Sequence, residues 1–106
     1  MIHISLCTDP AVVPDLAERP DCLCYVCRDG EDIAGRCVFS AKTAAVIFIE
    51  CSPEFYDGLL RAAVAYIFDH GADRVLFMDG VDTHSLTSSG DICAFIDRAD
   101  FFRGCK

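Results

Sequence analysis

Cysteine is the residue type in this chain with the widest chemical scope. Eight are spread over 106 residues: Cys7, Cys22, Cys24, Cys27, Cys37, Cys51, Cys93 and Cys105. Thiolates bind metals, attack electrophiles and form disulfides. The densest group is Cys22-x-Cys24-x-x-Cys27. On a strand, Cys22 and Cys24 point to one face and Cys27 to the other, so the three do not converge on one ion. Structural zinc sites pair a Cys-x-x-Cys with a second pair elsewhere. Cys24 and Cys27 have that spacing, but the chain holds no second Cys-x-x-Cys. No metal is expected, and the cysteines read as reduced, mostly buried small hydrophobes. A disulfide framework belongs to small exported domains that are loop-rich.

Two further groups could do chemistry. Glu50, Glu54 and Asp57 are close in sequence. Together they could form an acidic pocket for a divalent cation or a cationic amine. The same carboxylates also complement a helix N-terminus in solvent, which is the plainer reading. Asp79-Gly80-Val81-Asp82-Thr83-His84 follows an apolar run. Ligands in open α/β sheets often bind just past strand ends, but the segment is too generic to name a ligand and reads as a polar loop.

The elements that must position these groups are legible. Ile2 to Cys7 alternates and predicts a strand. Thr8-Asp9-Pro10 resembles a helix start, followed by a short helix within Ala11 to Glu18 that Pro14 weakens. Cys22 to Arg28, Ile33 to Ser40 and Ala44 to Cys51 are apolar runs separated by Asp29-Gly30-Glu31-Asp32 and Ala41-Lys42-Thr43. They predict a three-strand antiparallel meander. The third run is apolar on both faces and should lie centrally, covered on both sides.

Ser52-Pro53-Glu54 reads as an N-cap, a first-turn proline and a carboxylate at the positive helix end, with the Ser52 side chain taking an amide. A helix from Pro53 to about His70 should bury a stripe of Phe55, Leu59, Ala62, Ala63, Tyr66 and Ile67, and Gly71 should end it. Val75 to Met78 predicts a strand that returns parallel to the meander. Beyond it, a short helix fits around His84 to Thr87. Ile92 to Ile96 fits a strand or a helix, and Ala99 to Arg103 a last helical turn burying Phe101 and Phe102. Val64 and Phe68 lie off the main stripe and would face water if the helix packed on one sheet only, which predicts a homodimer.

Composition limits the roles of this single 1–106 domain. Apolar residues make up 53% of the chain, enough for a core, and 17 acidic side chains oppose 9 basic ones for a net charge of −8. That sign disfavours nucleic acid and anionic membrane surfaces. No apolar run nears the roughly 20 residues of a membrane span. Met1-Ile2-His3-Ile4-Ser5 lacks the basic start and long apolar stretch of an export signal, so a cytoplasmic location is expected.

The order strand, helix, three-strand meander, long helix, parallel strand resembles the core of the GNAT superfamily of N-acetyltransferases, over roughly Cys22 to Asp79. Gly58-Leu59-Leu60-Arg61-Ala62-Ala63 is similar to the glycine-led start of that family's acyl-CoA helix. The resemblance implies an α/β (α+β) fold with helices on a central mixed sheet, shortened at its C-terminal end. It also implies acyl transfer from acetyl-CoA or another acyl-CoA to a small-molecule or protein amine. Glu50, on the strand before the helix, would accept the amine proton, and His84 or Cys93 could stand in for the family's acid. The segment Ser52, Phe55, Tyr56 and Gly58 would hold the cofactor on backbone amides. The family's loop reads Arg/Gln-x-x-Gly-x-Gly/Ala, whereas this chain has Cys51-Ser52-Pro53-Glu54-Phe55-Tyr56-Asp57-Gly58. One glycine, no arginine and two carboxylates imply weak acyl-CoA binding. The alternative is a non-catalytic subunit or interaction module that keeps the fold.

Overall fold

The computed structural model describes residues 2–9, 11, 13–19, 21–78, 80–83, 86 and 93–104. The chain runs β1 (Ile2–Cys7), α1 (Asp15–Glu18), β2 (Leu23–Asp29), β3 (Asp32–Ser40), β4 (Ala45–Cys51), α2 (Pro53–Asp69), β5 (Arg74–Phe77), β6 (Phe95–Asp97) and α3 (Arg98–Gly104). The six strands form one mixed sheet in the order β1-β2-β3-β4-β5-β6. Every pairing is antiparallel except β4 with β5, which is parallel. No helix among the described residues is long and apolar enough to cross a membrane.

Local chemistry sets the turns. Gly30 takes the left-handed conformation, φ 66°, at the β2–β3 hairpin, and Gly71 takes φ 101° just past α2. The helix near residue 10 is shorter than its sequence suggests. Asp9 closes a turn by accepting the Ala11 amide at 2.9 Å, and the helix starts only at Asp15, after Pro14. Pro14 has no amide to donate and sits at the N-cap, while the Val13 amide donates to Asp9 and the Leu16 amide to Val13 in the turns around it. The helix expected around His84 to Thr87 lies mostly outside the described residues. Ile96 belongs to a strand, β6.

Two clusters fill the two faces of the sheet. On one face α2 covers Cys27, Cys37, Phe39, Val46, Val75 and Phe77. On the other, Val13 and Leu16 from the α1 region cover Cys24, Val26 and Val38. The alternation expected at Cys24 and Cys27 is therefore present. β4 is central, flanked by β3 and β5. Ala45 and Val46 are buried, but Ile47 and Phe48 are only half-buried, because the α1 region covers just part of their face. Val38 pairs with Phe48 and Phe39 with Val46, so Ile47 is an extra residue that bulges β4 against β3. β4 pairs with β5 only through Ala45–Leu76 and Val46–Phe77.

The expected exposure of Val64 and Phe68 is corrected: their relative exposures are 0% and 1%. The chain itself covers this second flank of α2. Phe101 of α3, together with Val81, Leu86 and Ile96, joins the same cluster as Leu60, Val64 and Phe68. The Phe68 and Phe101 rings lie 5.5 Å apart. Arg98 fixes the junction. Its guanidinium donates to the carbonyl oxygens of Phe68 and, at 2.8 Å, Ala72, placing a cation on the negative end of α2. Phe102 was expected to be buried with Phe101, but it is 44% exposed. Consecutive helical residues point about 100° apart, so one short helix cannot turn both rings fully inward.

This difference predicts unequal losses. Phe101→Ala should cost about 3–4 kcal/mol of unfolding free energy, as for a fully buried ring, and Phe102→Ala about 1 kcal/mol. Urea unfolding of both variants measures it. Equal losses would contradict the packing described.

Candidate functional site

The β4–α2 junction is where the sequence places its candidate site. β4 ends at Cys51 and α2 begins at Pro53, so Ser52 alone connects them. Ser52 is the N-cap in extended conformation, φ −65° and ψ 146°, but its side chain makes no capping bond. The expected side-chain cap is thus corrected. The Phe55 amide instead donates to the Ser52 backbone carbonyl at 3.0 Å, and Pro53 has no amide to satisfy.

Beside this junction is an open cleft of about 370 Å³. Its walls come from the start of β3 (Ile33, Ala34, Gly35, Arg36) and the end of β4 (Glu50, Cys51), with Ser52 at the rim. Glu50 and Ser52 therefore share one cleft. The Glu50 carboxylate accepts from the Arg36 guanidinium at 3.1 Å, and its side chain is 73% exposed. A solvent-facing pair of this kind contributes about 0–1 kcal/mol. The Arg36 guanidinium also lies 5.4 Å from the Phe48 ring centroid. Glu50 pairs with Arg36 and Arg36 with Val26, which puts all three on the sheet face opposite α2.

The remaining candidates sit elsewhere. Phe55 and Tyr56 are half-buried against the α2-side core. The Tyr56 hydroxyl accepts the Asp82 amide at 2.6 Å, which ties the first turn of α2 to the segment after β5. Burial holds the Tyr56 phenol above its ordinary pKa, although the Asp82 amide works against this. Gly58 is exposed, and a Cβ there would meet only the Ile4 side-chain terminus at 3.1 Å. Glu54 is exposed in the first turn, and Asp57 accepts from the Arg61 guanidinium at 3.0 Å. The acidic group is therefore not gathered into a pocket, and no cluster of three metal-ligating side chains occurs among the described residues.

Cys93 is tied into the fold. Its amide donates to the Thr83 hydroxyl at 2.7 Å, and that hydroxyl, fully buried, lies 3.3 Å from the Cys93 carbonyl. His84 lies outside the described residues. On the α2 side, burial pushes the Cys37 thiol far above its ordinary range and raises Cys51 as well. These thiols stay protonated at neutral pH and do not act as ready nucleophiles.

Neither the Tyr56–Asp82 contact nor the Thr83–Cys93 pair was legible in the sequence. Each joins residues ten or more apart without a local motif. Comparison of the chain with protein-family models, with curated proteins and with solved structures returns no match.

Two glycines beside the junction separate packing from ligand binding. A Cβ on Gly35 would overlap Cys51 Cβ and lie 3.2 Å from Leu59 Cδ1. Gly35→Ala should cost about 2–3 kcal/mol or prevent folding. Gly58→Ala should be neutral or gain up to about 1 kcal/mol of helix propensity. Thermal unfolding of the two variants reads this difference.

The buried thiols also predict a pH dependence. A folded pKa above the unfolded value means that the native state keeps its proton longer. The stability this contributes is complete below the unfolded thiol pKa of about 8.5 and is lost as pH rises above it. Urea midpoints should hold steady from about pH 7 to 8 and fall by about pH 10. A flat profile to about pH 10 would contradict the burial of Cys37.

Proposed function

We propose that this chain is a GNAT-like domain that has given up acyl transfer and serves as a homodimeric subunit module. The antiparallel meander, the long helix α2 and the parallel return to β5 support the likeness. One observation carries the non-catalytic reading: Ser52 alone joins β4 to α2. A pyrophosphate cradle needs a loop whose amides converge on the anion. Here the chain passes from the last strand residue to a first-turn proline within one residue, and the Phe55 amide is already taken by Ser52. Glu54 adds negative charge where a diphosphate would sit. Glu50, the residue that would serve as base, lies on the face opposite Phe55 and Tyr56.

The surface that favours a second copy is on the β5–β6 side of the sheet. Leu76 and Phe95 are directly opposed across these strands, and Met78 follows on the same face. Their relative exposures are 47%, 43% and 52%. The charges around them are paired within the chain. Arg74 donates to Asp97 at 2.7 Å with its guanidinium 4.0 Å from the Phe95 ring centroid. An apolar face whose charges cancel locally does not select a charged partner, and it matches a second copy of itself. On a chain of net charge −8, it is also a place where two copies meet without opposing like charges. Three apolar side chains carry the face, where a standard interface uses about 20–30 residues a side, so the dimer is expected to be concentration-dependent.

Calorimetry with acetyl-CoA should show no binding tighter than about 100 μM. A low-micromolar dissociation constant would overturn the non-catalytic reading. Sedimentation at about 100 μM protein should show dimer for the unaltered chain and monomer for Leu76→Glu, a change at an exposed position. A monomer mass for the unaltered chain would remove the dimer and leave the acyl-CoA result standing on its own.

A further inference from the structure

We propose that Cys7 and Cys24 form a thiol pair that hydrogen peroxide oxidises reversibly to a disulfide, a modification site distinct from the β4–α2 junction. The inference starts from register. Cys7 of β1 is directly opposite Cys24 of β2 in an antiparallel ladder, so both side chains stand on the same face. Both belong to the cluster under the α1 region. Opposed residues in such a ladder have Cα atoms about 4.5–5.5 Å apart. A disulfide needs about 4.4–6.8 Å. The pair can therefore close within the existing sheet.

Register excludes the neighbouring combinations. Cys22 precedes β2, which starts at Leu23, so no ladder partner holds it opposite another cysteine. On the opposite face Cys27 pairs with Gly35 and Gly35 with Cys51, so the two cysteines are two strands, about 9.6 Å, apart. Cys37 is diagonal to both. Among the described residues, Cys7–Cys24 is the one directly opposed cysteine pair.

Burial divides the roles. Cys24 is fully buried, and its thiol donates to the Tyr25 carbonyl at 3.3 Å. Cys7 is partly exposed on an edge strand, so it meets the oxidant. The Cys7 sulfur attacks one peroxide oxygen and the O–O bond breaks. The departing hydroxide takes the Cys7 proton and leaves as water, with Cys7 as sulfenic acid. The Cys24 sulfur then attacks the Cys7 sulfur and the S–O bond breaks. This second hydroxide takes the Cys24 proton and also leaves as water. Two thiols and one peroxide thus give one disulfide and two waters, with two electrons passing from sulfur to oxygen. Placing the oxidised product across β1 and β2 closes a loop that includes α1, and this fastens the edge strand to the sheet.

The test treats the reduced full-length chain with a few equivalents of hydrogen peroxide, blocks remaining thiols and maps the products by mass spectrometry. The expected result is one intramolecular disulfide joining the Cys7 and Cys24 peptides, reversed by dithiothreitol, with a melting temperature raised by about 5–10 °C. Cys7→Ser should abolish the disulfide, and Cys22→Ser should leave it intact. A disulfide mapped to any other pair would overturn the proposal. So would over-oxidation of Cys7 while Cys24 stays reduced, or a Cys22→Ser variant that fails to form the bond. Cys7 is partly exposed, so its serine variant should fold; if it does not, the Cys22→Ser arm and the peptide map still decide.

Discussion

The width of the apolar surface on α2 is the constraint on which the rest of the structure depends. Leu59, Ala63 and Ile67 form one buried stripe, and Leu60, Val64 and Phe68 form a second flank beside it that needs the C-terminal elements to cover it. Each large side chain gains about 1.5–3 kcal/mol from burial. Leaving the second flank wet would forfeit about 5–9 kcal/mol, comparable to the whole stability of a domain this size. The C-terminal third of the chain resolves this. β5 returns alongside β4, β6 turns back, and α3 brings Phe101 to Phe68 while Arg98 closes the carbonyl end of α2. The segment after Gly71 thus completes the core.

That solution explains why β4 and β5 pair so briefly. β5 must run parallel to β4 long enough to place Val75 and Phe77 under α2, and two residue pairs do this. Beyond them the chain leaves the sheet, so that Val81 and Leu86 reach the second flank of the helix. The Asp82 amide meets Tyr56 on the way. The bulge at Ile47 lies just past the paired residues, and bulges increase local twist. The contacts near the candidate site therefore follow from packing needs at the other end of α2.

Much of the fold was legible in the sequence. The two turn glycines, the apolar runs and the helix from Pro53 to about His70 are local signals, and each is present where expected within a residue or two. The alternation of Cys24 and Cys27 is a period-2 property that any strand imposes. The readings that failed did so for separate physical reasons. Val64 and Phe68 were given to solvent because helical periodicity says which residues share a face, and nothing about whether a second element covers it. The short helix read within Ala11 to Glu18 is present as α1, but the start read at Thr8-Asp9-Pro10 is a turn instead, because the Asp9 side chain accepts the Ala11 amide. Ser52 has the residue type of an N-cap, but the bond depends on a rotamer that the sequence does not determine. Of the candidate site, the sequence placed Glu50 and Ser52 at one junction correctly. It could not foresee that Glu50 would face away from Phe55 and Tyr56, because that depends on which side of the sheet α2 takes.

The abundance of cysteine fits the same geometry. Cys27, Gly35 and Cys51 form one row across β2, β3 and β4 on the face under α2. Leu59 of α2 descends onto this row, with its Cδ1 only 3.2 Å from where a Gly35 Cβ would be. A helix that starts one residue after a strand cannot rise far from the sheet before turning back over it. The row beneath its first turns must therefore be thin. Cysteine is larger than alanine and smaller than leucine, has no branch at Cβ, and is content without a strong hydrogen-bond partner. Glycine at the centre and a cysteine on either side make the row thin where Leu59 enters, while still filling its flanks. At Cys27 and Cys51, then, the thiol fits by its volume. The one-residue β4–α2 connection and the small residues beneath α2 are two consequences of one tight turn.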